Sequence, residues 1–220
     1  MRRVLPPLIL FSVLLAPLAA TASDNDISKV NGDVRVEAGQ HAGTAKSVNG
    51  DVDVGDHAMV QLASTVNGSV SLGTQAEAGE LHTVNGSIEV ATGGKVDGRV
   101  QAVNGDISLA QDAQVGGHLS NVNGGITLHA AHVAGGLETV SGDITVGANS
   151  HVEGGILVDK SNNGWFHWGN DRKPVIVIGP HAVVTGTLDF RRDVVLKVSD
   201  SAQIGTVQGA TAERFHGDAP

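Results

Sequence analysis

The chain contains no cysteine, so neither disulfides nor thiolate metal ligands hold it together. It has no tyrosine, and aromatics make up only 3% of its residues. A ring-filled core of the kind most globular enzymes use is therefore excluded, and Val, Ile, Leu and Ala must supply the buried area. Basic residues are also scarce, 14 against 23 acidic ones, for a formal net charge of -9. That balance argues against nucleic acid or an anionic lipid surface as the main partner. What the chain has in abundance is glycine, 30 residues in 220.

Residues 1–22 combine a basic start at Arg2 and Arg3, an apolar stretch from Leu8 to Leu18 and a small-residue exit at Ala20-Thr21-Ala22. This order reads as a signal peptide cleaved after Ala22, and it implies export to the periplasm or the cell surface. The apolar stretch is shorter than the ~20 residues that a membrane span needs and is broken by Pro17. No transmembrane segment is expected in the mature chain. Loss of Arg2 and Arg3 would move the net charge from -9 to -11.

An internal repeat dominates the rest. Its first valine falls at Val30, Val48, Val66, Val84, Val103, Val122 and Val140, in steps of 18, 18, 18, 19, 19 and 18. In the fifth copy the apolar or small positions are Val103, Ile107, Leu109, Ala113, Val115, Leu119 and then Val122, with gaps of 4, 2, 4, 2, 4 and 3. A gap of two keeps both side chains on one strand face, and a gap of four carries the chain round a corner. The pattern predicts an all-β, single-stranded parallel β-helix of about nine coils, each with three short strands and three corners. An antiparallel meander would need longer alternating runs on either side of each Asn-Gly than this chain offers.

The third corner repeats as VDGRV, VGGHL, VAGGL, VEGGI and VTGTL, with Gly98, Gly117, Gly135, Gly154 and Gly186 at one place. Glycine there is expected for its access to left-handed backbone. In the first three copies the last third of the coil is less regular. The register breaks after Val158, at an insertion over residues 159–174, and resumes so that Ile176 matches Ile144. The solenoid thus covers residues 23–208, and residues 209–220, which carry no repeat, are expected to form a cap or tail.

The SVNGDV and TVSGDI repeats resemble an adhesin family of exported bacterial β-solenoids. The A-x-V-x-G-x-[IL] form at Ala113 to Leu119 and Ala182 to Leu188 is similar to the bactofilins, which form polymers by end-to-end stacking. Both resemblances imply a right-handed parallel β-helix without a known catalytic centre. The leader differs from the bactofilins, which are typically cytoplasmic. Left-handed hexapeptide β-helices, common among acyltransferases, share the 18-residue coil and its alternation of fours and twos.

Four features could carry chemistry. The corner column Asn31, Asn49, Asn67, Asn85, Asn104 and Asn123, ended by Ser141, is expected to form a hydrogen-bonded ladder in which Asn tolerates the left-handed conformation. Two residues on, Asp33, Asp51, Ser69, Ser87, Asp106, Gly125 and Asp143 form a column too interrupted for a calcium array, and these are expected to be solvated corner residues. His132 and His151 share a register in adjacent coils and are the weak candidates for a transition metal, with no third ligand evident. Finally, the insertion concentrates Trp165, Phe166, His167 and Trp168, which suits recognition of a glycan, an envelope polymer or a protein.

No nucleophile elbow, phosphate loop or paired-His zinc motif occurs. The expectation is a non-catalytic, cofactor-free structural or adhesin-like element of the cell envelope. Its partners would be envelope protein or polysaccharide, or itself through end-to-end association. The alternatives are a glycan- or peptidoglycan-binding module that uses Trp165 to Trp168, and an acyltransferase of the hexapeptide type.

Overall fold

A computed structural model of the chain describes residues 25–160, 172–217 and 219–220. Residues 1–22, expected to form a signal peptide, and Trp165, Phe166, His167 and Trp168 lie outside the described residues. Every pairing between strands is parallel, and the described residues contain no helix, so none long and apolar enough to cross a membrane. The strands stack into one sheet of ten and one of sixteen.

The ten-stranded sheet counts the turns. Its inward positions run Val34, Val52, Val70, Ile88, Ile107, Ile126, Ile144, Ile176, Leu196 and Ala212, each paired in register with the next. Ten turns at ~4.8 Å give a rod roughly 45 Å long. The tenth is one more than the repeats mark, because Ala212–Phe215 in the non-repeating tail pairs with Val195–Ser199. Across the insertion the register holds, with Ile144 opposite Ile176 and His151 opposite Val183.

Three short strands per coil describe the turns from Lys95 onward. Before that, His41–Asn49, Met59–Asn67 and Glu77–Asn85 are single nine-residue strands that pass through the third corner without a break. The cause is one residue. Ala78 pairs with Val96 and Leu81 with Val100, so the two residues between Ala78 and Leu81 become three between Val96 and Val100. The extra residue splits the strand into Lys95–Val96 and Val100–Asn104 and makes the repeat step 19.

Aliphatic side chains repeat the same layer turn after turn, which explains how the rod dispenses with aromatics. Leu81, Ile107, Leu119, Ile126 and Ile156 are each at most 1% exposed, and among the described residues Phe190 is the one aromatic in the core. Full burial of each such side chain contributes about 1.5–3 kcal/mol.

The repeat valines, although apolar, do not point into the core. Val30 is 66% exposed, Val48 and Val66 40% and Val84 39%, while Val103 and Val122 are half-buried. The strand period of two decides this: Val100 and Ala102 point inward, so Val103 points out. From Val48 onward the inward place before each repeat valine is taken by Ser47, Thr65, Thr83, Ala102, Asn121 and Thr139. The five polar ones among them each make a hydrogen bond, which offsets the cost of their burial. Ser47 Oγ donates to the Gly32 carbonyl, Thr65 Oγ1 to Gly50, Thr83 Oγ1 to Gly68 and Asn121 Nδ2 to Gly105, at 2.7–3.0 Å.

The corners also differ from expectation. None of Gly98, Gly117, Gly135, Gly154 and Gly186 has a positive φ. A Cβ at Gly117 would lie 2.5 Å from the Gly98 carbonyl oxygen, and one at Gly135 2.2 Å from that of Gly117. These glycines therefore serve close stacking of backbone on backbone. Left-handed backbone is needed at the second corner instead, where His57, Gln75, Asp112, Ala130, Asn149 and His181 all have φ between 48° and 58°.

Candidate interaction surfaces

At the first corner the asparagines form a continuous side-chain ladder. Each Nδ2 donates to the Oδ1 one turn toward the N-terminus: Asn49 to Asn31, Asn67 to Asn49, Asn85 to Asn67, Asn104 to Asn85 and Asn123 to Asn104, all at 2.9–3.0 Å. None of these asparagines is left-handed; the glycine after each one has the positive φ, from 100° to 159°. Asparagine is needed here because its side chain carries both a donor and an acceptor, so each rung can serve two neighbours.

The Asp and Ser column is not merely solvated. Asp33 Oδ1 accepts from the amide of Asp51, Asp51 Oδ1 from that of Ser69, Ser69 Oγ from that of Ser87, Ser87 Oγ from that of Asp106, and Asp106 Oδ1 from that of Gly125. Each side chain thus satisfies a corner amide one turn up, as an N-cap residue does for a helix. A carboxylate and a hydroxyl both supply the acceptor, at 2.6–2.9 Å from the aspartates and 3.2–3.3 Å from the serines, so Ser69 and Ser87 do not interrupt the column. Asp143 closes the column by accepting from the Val175 amide at 2.8 Å and from the Arg172 guanidinium, across the insertion.

Beside that junction the outer face of the ten-stranded sheet carries a polar groove of about 670 Å3. Ser108, Thr127 and Thr145 stack along its floor, with Asp106, His129 and Arg172 among its walls. Arg172 lies four residues after Trp168 in the sequence.

The third surface contains the two histidines. His132 and His151 are paired in adjacent turns, beside Val133 and Val152, which point into the core. Their rings meet edge to face with centroids 5.3 Å apart. A third group, absent from the reading of the sequence, joins them. Glu153 Oε1 is 2.9 Å from His132 Nε2, and one ligand atom from each of His132, His151 and Glu153 lies within 4.8 Å of the others. The signal was His151-Val152-Glu153: with a period of two, residues 151 and 153 share the outer face.

Other charges form exposed pairs, between turns for Arg35 with Asp53 and Arg191 with Asp159 and within one turn for Arg191 with Asp189. Hydrogen bonds to those carboxylates raise both guanidiniums above their ordinary value. Glu80 sits between His82 at 3.0 Å and Arg99 at 3.4 Å. The hydrogen bond from His82, followed by the positive charge of Arg99, holds its carboxyl below the usual carboxylate range.

The chain matches no protein-family model, no curated protein and no solved structure, so the likeness to adhesin solenoids and bactofilins rests on its repeat motifs.

Proposed function

We propose that this chain is a non-catalytic, exported structural element of the bacterial cell envelope that acts by contact between surfaces, including contact between copies of itself. The observation that carries this reading is the valine stripe beside the asparagine ladder. Val30, Val48, Val66 and Val84 are stacked in register on the outer face and account for four of the five exposed large hydrophobics among the described residues. An ordered row of exposed apolar side chains on a rigid face is a contact surface in search of a partner. Open strand edges add a second route. Among the described residues the Ala212–Phe215 strand pairs on one side only, as does Gln203–Ile204, and Ile204, Val207 and Ala212 are only partly buried against the core. Such edges accept further strands, and that favours end-to-end growth. Export, and the adhesin-like role itself, are supported by the leader and by the repeat motifs.

Sedimentation over a wide concentration range, with electron microscopy of the same samples, tests the reading. Concentration-dependent assembly that Val48→Lys and Val66→Lys abolish is the expected result. A solitary rod at every concentration, together with no retention on envelope material, would overturn it.

The polar groove at Arg172 favours a second reading, a glycan- or peptidoglycan-binding module. Its hydroxyl-lined floor suits sugar hydroxyls, and Trp165 and Trp168 would supply stacking faces. Retention on peptidoglycan that is lost in the Trp165→Ala, Trp168→Ala variant would favour it over the first.

A further inference from the structure

His132, His151 and Glu153 stand on an outer face with no place in the proposed contact surfaces. The fold fixes their backbones firmly. The amides of His132, His151 and Glu153 donate to the carbonyls of Ala113, Ala131 and Val133 in the preceding turn, all at 2.9 Å. On the other side the Thr185 hydroxyl donates to the Glu153 carbonyl at 2.9 Å. Parallel stacking holds His132 and His151 one strand spacing apart, about 4.8 Å. The period of two then places Glu153 beside them.

From these positions we propose that His132, His151 and Glu153 form a binding site for one divalent transition-metal ion, of which Zn2+ is the best fit. The donor set is two imidazoles and one carboxylate, borderline ligands suited to Zn2+ and its neighbours and unsuited to Ca2+ or Mg2+, which require mainly oxygen. Ligand atoms around a tetrahedral Zn2+ at about 2.0–2.1 Å lie about 3.3 Å from one another. Here His132 Nε2 and Glu153 Oε1 are 2.9 Å apart and all three ligand atoms are within 4.8 Å. Small side-chain rotations close that difference. The rings are inclined at 76°, so they are not locked into a parallel stack that would keep their nitrogens side by side.

The surroundings permit a cation. The same column continues with Gln114 on one side and Val183 on the other, and the column of Glu153 continues with Thr185. No ammonium or guanidinium is paired with Glu153 among the described residues; its ion-pair partner is His132. Glu80, in contrast, is engaged by Arg99. Three protein ligands leave at least one position of a tetrahedral ion open, to be filled by water or by a group from another molecule.

A hydrogen-bonded His132–Glu153 pair without metal is the competing account, and His151 separates the two. It takes no part in that hydrogen bond, yet the metal site requires it. Calorimetric titration of the purified chain with Zn2+ should show one site, with no comparable response to Mg2+ or Ca2+. Loss of an outer-shell partner alone commonly weakens a metal site by about ten-fold, so His151→Ala and Glu153→Gln should each weaken binding by at least roughly that factor. A His57→Ala, His181→Ala control should leave it unchanged, and Co2+ in place of Zn2+ should give a visible absorption band that His151→Ala removes. Unaltered circular dichroism of each variant establishes that the rod is intact. If the His132→Ala, His151→Ala variant binds Zn2+ with the affinity and stoichiometry of the original chain, or if the original chain shows no saturable site, the proposal is wrong.

Discussion

Asn67 donates its side-chain amide to Asn49 across 2.9 Å, one turn down the rod, and accepts the same bond from Asn85 one turn up. An interior rung therefore makes two hydrogen bonds, whereas Asn31, the first rung, makes one. Each exposed bond of this kind is worth about 0.5–1.5 kcal/mol net. Asn67→Ala should cost about 1–2 kcal/mol and Asn31→Ala about half of that, as read by urea denaturation. Equal costs at the two positions would mean that corner conformation, not the ladder, is what asparagine supplies.

Two constraints act on the glycines that follow the asparagines, positive φ and close backbone stacking, and Gly32 and Gly86 separate them. At Gly86 the φ is 149° and a Cβ would lie 2.0 Å from the Gly68 carbonyl oxygen. At Gly32, on the first turn, the φ is 100° but nothing lies within 4 Å of such a Cβ. Gly32→Ala should cost only the backbone strain, about 1–2 kcal/mol. Gly86→Ala must also push neighbouring turns apart and should cost about 3 kcal/mol or more. Thermal unfolding of the two variants side by side measures the difference, which is the contribution of close stacking.

How much of this was legible beforehand follows from what repetition records. A solenoid repeats one turn, so the spacing of Val30, Val48 and Val66 specified the architecture, and the match of Ile144 to Ile176 carried the register across the insertion. Directions and partners were less legible. Thr65 and Thr83 look like surface residues in a list of polarities, yet both are buried because their hydroxyls reach carbonyls in the neighbouring turn. The outward valines look like core for the opposite reason. Ser69 looked like a gap in an aspartate column, because a sequence shows residue types and the column needs only an oxygen. Glu153 was overlooked because its relation to His132 crosses from one turn to the next and lies 21 residues along the chain.

Glu80 links stability to pH in a defined direction. The hydrogen bond from His82, then the charge of Arg99, lowers its folded-state pKa, so the folded chain binds fewer protons there than the unfolded one. The contribution is fully present above the unfolded carboxyl value of about 4.3 and is lost as the pH falls through the lower folded value. Glu80→Gln should therefore lower the melting temperature slightly at neutral pH and leave it nearly unchanged at the acid end of the titration. A difference between the two proteins that stays constant over that range would assign the effect to packing.

Asn121 breaks the pattern of its own inward column and offers a route to a more stable rod. Its Nδ2 donates to the Gly105 carbonyl at 2.7 Å, repeating what Thr65 and Thr83 do with their hydroxyls. Its Oδ1, however, is the one buried side-chain oxygen or nitrogen among the described residues without a hydrogen-bond partner. An unsatisfied buried acceptor costs about 1–3 kcal/mol. Threonine would keep a donor for Gly105 and remove the orphaned oxygen, at the expense of a slightly smaller side chain. Asn121→Thr is expected to stabilise the chain by about 1 kcal/mol, a shift that urea denaturation resolves. Asn121→Leu removes the orphan as well but leaves the Gly105 carbonyl without that donor, so it should be less stable than Asn121→Thr. If leucine proves the better replacement, volume and not the carbonyl contact governs this position.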